Sequence, residues 1–88
     1  MKISFSKSFQ KAFNKRIKNN KRLVELFSKR LKIFEEEPYH PFLKTHKLTG
    51  RLNDYHSFRI DFEYRVVFEI VDKDKVILID IGTHDQVY

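Results

Sequence analysis

Six side chains in the second half of this chain could together run acid–base chemistry on a phosphodiester: His46, Arg59, Glu63, Arg65, His84 and Tyr88. When a ribose 2′-hydroxyl attacks the adjacent phosphorus, one group must take a proton and another must give one to the departing 5′-oxygen. Imidazole suits both tasks near neutrality. Guanidinium groups such as Arg59 and Arg65 match a phosphorane-like transition state through paired N–H donors. A terminal ring such as Tyr88 can hold a splayed base by stacking, worth about 1–3 kcal/mol. That is a kit for cutting RNA without a metal.

Each of these residues also has a plainer reading. Arg59 and Arg65 equally suit cross-strand pairs with Asp61, Glu63 or Glu69. His46, beside Lys47, also reads as an ordinary loop residue, and His84 as a strand-end cap. Tyr88 is the last residue and is either packed or loose. His40 and His56 read as structural. The chain has no cysteine and only two glycines, Gly50 and Gly82, so it offers neither a thiolate metal site nor a glycine-rich phosphate loop.

The elements that must position these groups are legible from periodicity. Lys2 to Ser6 alternates polar and apolar and predicts a short strand. Ser6 suits the N-cap of a helix from Lys7 to about Lys18, with Phe9, Phe13 and Ile17 on one face. Asn19-Asn20 predicts a stop and a turn, followed by a second helix from Lys21 to about Glu36 with the stripe Leu23, Leu26, Phe27, Leu31 and Phe34. Two such helices joined so closely pack as a hairpin. The Glu35-Glu36-Glu37 run lies at the wrong end of that helix for its dipole.

Pro38 ends the helix, and Tyr39 to Asp54 reads as a loop. Strands follow over Tyr55 to Phe62, Arg65 to Val71 and Lys75 to Ile81, with Asp72-Lys73-Asp74 as a hairpin turn. The even positions Phe58, Ile60, Phe62, Val66, Phe68 and Ile70 predict a core face, and Arg59, Asp61 and Arg65 an open one, provided the intervening turn has an odd number of residues. Val76 to Ile79 is apolar on both faces and reads as a central strand. The expectation is one α+β domain over residues 1–88, ordered β-α-α-β-β-β, with a helical hairpin on a four-stranded antiparallel sheet.

Charge is unevenly spread. Residues 1–34 carry eleven Lys or Arg against Glu25 alone, for a net of +10 within a total of +6. Residues 35–54 net −1 and residues 55–88 net −3. A basic face of that strength points to a partner made of phosphate. The longest apolar run is four residues, Val76 to Ile79. No membrane span or signal peptide is expected, and the cytoplasm is the default compartment.

Three segments, taken in order, resemble the RelE/ParE superfamily of bacterial type II toxins, and most closely the YafQ- and YoeB-type mRNA interferases. His46-Lys47-Leu48-Thr49-Gly50 is similar to the family's H/E-P-L-x-G segment, with Lys47 where proline is usual. Arg59-Ile60 followed by Glu63-Tyr64-Arg65-Val66-Val67-Phe68 resembles its R-I-x-x-E/D-x-R-L-V-Y pattern. Gly82-Thr83-His84 with Tyr88 resembles the YafQ-type ending. Tyr64 stands where YafQ-type sequences have tryptophan, and Arg59 where they often have histidine. The resemblance extends to the element order over nearly the whole chain.

The resemblance implies a RelE-like fold and a ribosome-dependent endoribonuclease that cuts A-site mRNA, leaving a 2′,3′-cyclic phosphate and a 5′-hydroxyl. By position it implies His46 as general base, Glu63 as an acid sharing or orienting that role, Arg65 on the phosphate and His84 as general acid. Arg59, Tyr64 and Tyr88 would bind substrate. It implies no cofactor, and as partners a cognate antitoxin and the ribosome. A ParE-type gyrase inhibitor without nuclease activity, or a catalytically inactive RNA-binding member, is the alternative. The combination of His46, His84 and Arg65 argues against the gyrase inhibitor, which has no use for acid–base groups.

Overall fold

Two side-chain caps start the helices. In the computed structural model, which describes residues 1–88, Ser6 Oγ accepts from the Phe9 amide at 3.0 Å and opens α1 (Lys7–Arg16). Asn20 Oδ1 accepts from the Leu23 amide at 3.1 Å and opens α2 (Lys21–Glu36). Each cap satisfies an otherwise orphaned first-turn N–H. α1 stops at Arg16 rather than Lys18, because Ile17 leaves the helix as its C-cap and is fully buried. The helices meet through aromatic rings, with Phe27 lying 5.7 Å from Phe9 and 5.4 Å from Phe13.

The sheet has five strands rather than four, ordered β1-β5-β4-β3-β2. They are β1 (Lys2–Phe5), β2 (His46–Lys47), β3 (His56–Arg59), β4 (Tyr64–Asp72) and β5 (Lys75–Thr83). The additional strand is β2, inside the segment that reads as loop, and it pairs antiparallel with β3. Two residues are too few for periodicity to announce. β1 runs parallel to β5, so the sheet is mixed rather than wholly antiparallel. β5 lies between β1 and β4, as its two apolar faces imply.

The core face behaves as the even-position pattern requires over Phe58, Ile60, Val66 and Phe68, all buried. Phe34 of α2 stacks on Phe58 at 4.4 Å and meets Phe68 edge-on at 4.8 Å. The pattern fails at two places. Phe62 is exposed in the β3–β4 turn, and Ile70 is half-exposed near the far end of β4.

One irregularity in β5 matters for the site. Val67 pairs with Asp80 and Phe68 with Leu78, which leaves Ile79 as an extra residue. This bulge reverses the inside–outside alternation, so Ile81 faces the core after Leu78 and Asp80 does not. Helix α1 secures it: the Ser8 hydroxyl donates to Ile79 O at 2.7 Å. One Arg16 guanidinium nitrogen donates to Asp80 Oδ1 at 3.1 Å and to Ile81 O at 3.0 Å.

Candidate active site

The strand that α1 secures ends in the tail that carries His84. Thr83 is the N-cap of a four-residue helix, α3 (His84–Val87). The Thr83 amide donates to Gln86 Oε1 at 2.8 Å, and the Tyr88 amide donates to His84 O at 3.0 Å. The Tyr88 phenol shares a 2.7 Å hydrogen bond with Ser57 Oγ, which is buried in β3. The terminal residue is therefore packed, and its ring meets the His84 ring edge-on at 4.6 Å. His84 Nδ1 lies 3.4 Å from Asp85 Oδ1, while the side chain as a whole is 64% exposed. A titratable group is thus held firmly and left open to solvent.

Gly82 is needed for this tail. A Cβ there would lie 2.7 Å from Gln86 Oε1, 2.8 Å from an Arg16 nitrogen and 3.0 Å from Gln86 Cβ. Those atoms cap α3 and secure β5, so neither side chain can retreat without losing a bond. Gly82→Ala is expected to destabilise the protein by about 1–3 kcal/mol. The readout is a lower Tm with faster hydrogen exchange at the Tyr88 amide.

His46 enters on β2, paired opposite Ser57. Its Nδ1 lies 2.9 Å from Lys44 O, and a carbonyl can only accept, so Nδ1 carries a hydrogen and the neutral ring has its lone pair at Nε2. Lys44 holds that carbonyl in place from a left-handed backbone conformation at φ 50°. His46 and Tyr88 line a hollow of about 420 Å³ together with Arg51, Leu52 and His84. Sequence reasoning had no place for Arg51, and its one signal was a basic residue directly after Gly50, whose φ of +68° turns the chain there.

Arg59 and Arg65 sit directly opposite each other on β3 and β4. Neither joins an ion pair, since the side-chain ion pairs are Arg16–Asp80, Arg22–Asp61 and His84–Asp85. The cross-strand pairing that was the plainer reading of these arginines is therefore not formed. One terminal nitrogen of Arg65 is buried without any hydrogen-bond partner. Two like charges facing each other with an unmet donor are unfavourable alone and favourable around an anion. They line a second hollow, of about 370 Å³, with Phe62, Glu63, Thr83 and His84. His84 belongs to both hollows.

Two expected members lie elsewhere. Asp61 leaves the open face: its Oδ1 accepts from the Glu63 and Tyr64 amides at 2.8 and 2.7 Å, and its Oδ2 pairs with Arg22 at 3.3 Å. Tyr64, on the even-numbered face, packs against the hydrophobic core and lines neither hollow.

The remaining histidines are placed by packing. His40 Nδ1 accepts from the Phe42 amide at 3.1 Å, a capping role. His56 stacks on Phe68 at 5.5 Å with its Nδ1 buried and unpartnered. Burial first, then the Lys47 charge and His46, hold its pKa below the ordinary 6.5. The unfolded chain binds this proton more readily, so the group's stability contribution is present above about pH 6.5 and lost as pH falls through its lower folded pKa. Acidification is expected to lower Tm more in the wild type than in His56→Phe, which keeps the stacking and titrates nothing. No three His, Asp or Glu side chains converge as a metal-ligand set.

No curated protein matches the chain by sequence. Among solved structures, YafQ from E. coli strain BL21(DE3) matches with a TM-score of 0.81 at 17% identity, over 98% of this chain and 96% of that one. A metal-bound toxin from Helicobacter pylori matches with a TM-score of 0.79 at 27% identity, over 100% and 99%. A YoeB–YefM complex from Staphylococcus aureus matches with a TM-score of 0.75 at 26% identity, over 96% and 97%. A family model described as the bacterial toxin of type II toxin–antitoxin systems, YafQ, matches residues 1–88. With its RelE-like sheet, secured tail and unpaired arginines, the chain belongs to the YafQ family of type II bacterial toxins.

Proposed function

We propose that this toxin is a ribosome-dependent endoribonuclease that cuts mRNA in the ribosomal A site without a metal. The observation that carries this reading is the position of His84, shared between a hollow holding His46 and one holding the unpaired Arg59–Arg65 pair. His46 Nε2 takes the proton from the 2′-hydroxyl; Glu63, for which the resemblance implies a share in that role, lines the second hollow and not the one that holds His46. The 2′-oxygen attacks phosphorus, and Arg65 with Arg59 meets the charge gathering on the phosphoryl oxygens. His84 gives a proton to the departing 5′-oxygen, so the products are a 2′,3′-cyclic phosphate and a 5′-hydroxyl. Tyr88 stacks on a base. Tyr64 serves substrate binding indirectly, by holding the start of β4 against the core.

The mRNA geometry comes from the ribosome, which presents the strand in line for attack. The basic face of α1 and α2 lies on ribosomal RNA, and the toxin works in the cytoplasm. A cognate antitoxin holds it inactive; a complex of this kind, YoeB with YefM from Staphylococcus aureus, is among the similar structures.

The test is purified toxin added to ribosomes carrying a defined mRNA, with cuts mapped by primer extension and the new ends identified chemically. Cleavage only on the ribosome, with a cyclic phosphate end, is expected. Intact mRNA together with inhibition of DNA supercoiling by gyrase would overturn the reading in favour of the ParE-type activity.

A further inference from the structure

Phe62 is the most exposed large apolar side chain in the molecule, at 84%. The turn that carries it is nevertheless secured on both sides. Asp61 accepts from two amides of the turn and pairs with Arg22, Arg30 Nε donates to Ile60 O at 3.3 Å, and Ile60 is fully buried. A ring held in water by a rigid turn contributes nothing to the core. It stands instead at the rim of the hollow that contains Arg59, Arg65 and His84.

We propose that this hollow is the subsite for the nucleotide on the 3′ side of the scissile phosphate, with its base stacked on Phe62. The inference rests on the nuclease reading and deepens it by fixing the direction of the strand. The attacking 2′-hydroxyl belongs to the nucleotide on the 5′ side, and the groups suited to it, His46 and Tyr88, line the first hollow. The departing 5′-oxygen belongs to the nucleotide on the 3′ side, and His84 opens onto the second hollow as well as the first. The strand therefore passes from the His46 hollow, over the arginine pair and His84, toward Phe62. Glu63 and Asp85 also line this second hollow. Their carboxylates repel a further phosphate, so a base rather than backbone meets the ring. Stacking of this kind tolerates any base.

The test uses programmed ribosomes and mRNA in which the nucleotide on either side of the mapped cut is intact or lacks its base. On intact mRNA, Phe62→Ala is expected to lower kcat/KM about tenfold, with Phe62→Trp near wild type. Removing the base on the 3′ side should cost the wild type a similar factor and leave Phe62→Ala with no further loss. Removing the base on the 5′ side should leave the Phe62→Ala effect in full. Because Phe62 is exposed, its variants should melt with the wild type, so a lost rate is not lost fold. Cleavage indifferent to Phe62→Ala, or a loss that persists undiminished without the base on the 3′ side, would overturn the subsite alone. A wild type inert toward mRNA would overturn the nuclease reading and the subsite with it.

Discussion

His84→Ala is expected to lower the rate of mRNA cleavage by about 10²- to 10⁴-fold, the usual contribution of a positioned acid, while the protein stays folded. The side chain is largely exposed, and its ring contacts only Tyr88 and Asp85 among the polar and aromatic partners seen. Its loss therefore removes chemistry rather than packing. The assigned role makes a sharper expectation. An mRNA whose departing 5′-oxygen is replaced by sulfur needs little protonation to leave, so it should restore most of the rate to His84→Ala. The same substrate should do little for His46→Ala, which lacks the base that starts the attack. Equal rescue of both variants, or of neither, would overturn the division of roles between the two histidines.

Arg65→Met should move activity and stability in opposite directions. Removing the guanidinium takes away fixed donors from the phosphoryl oxygens, and cleavage should fall by about 10²- to 10³-fold. The same change removes a buried donor that has no partner and a charge that faces Arg59 directly. An unmet buried donor costs about 1 kcal/mol or more, so the variant should be more stable by about that amount. For a domain of this size that corresponds to a Tm higher by about 4–8 °C. Arg65→Lys keeps the charge without the planar fork and should fall between the two in rate. A loss of rate accompanied by a lower Tm would mean that Arg65 is structural and that another group meets the phosphate.

The elements were largely legible because their signals are local. Ser6 and Asn20 cap helices within three residues of themselves, and the alternation from Phe58 to Phe68 places its own core face. An odd number of residues, 60–64, separates the paired Arg59 and Arg65, as this alternation needed, so the two arginines do meet. What stayed hidden has distant causes. Asp61 has the parity of the open face, but Arg22, thirty-nine residues earlier, and two turn amides draw it away. Tyr64 carries the family's aromatic position, yet its parity sets it against the hydrophobic core. β2 is two residues long and exists because β3 offers it an edge.

The sequence by itself determined the helices and their caps, the α+β class, the basic amino-terminal half and the three segments that mark the family. Tertiary structure alone decided that one imidazole would serve two hollows. The extra residue at Ile79 reverses the alternation of β5, and bonds reaching back 71 residues to Ser8 and 64 to Arg16 hold that reversal in place. Caps and periodicity are written in neighbouring residues, whereas this bulge is held by a distant helix that bonds the Ile79 and Ile81 carbonyls.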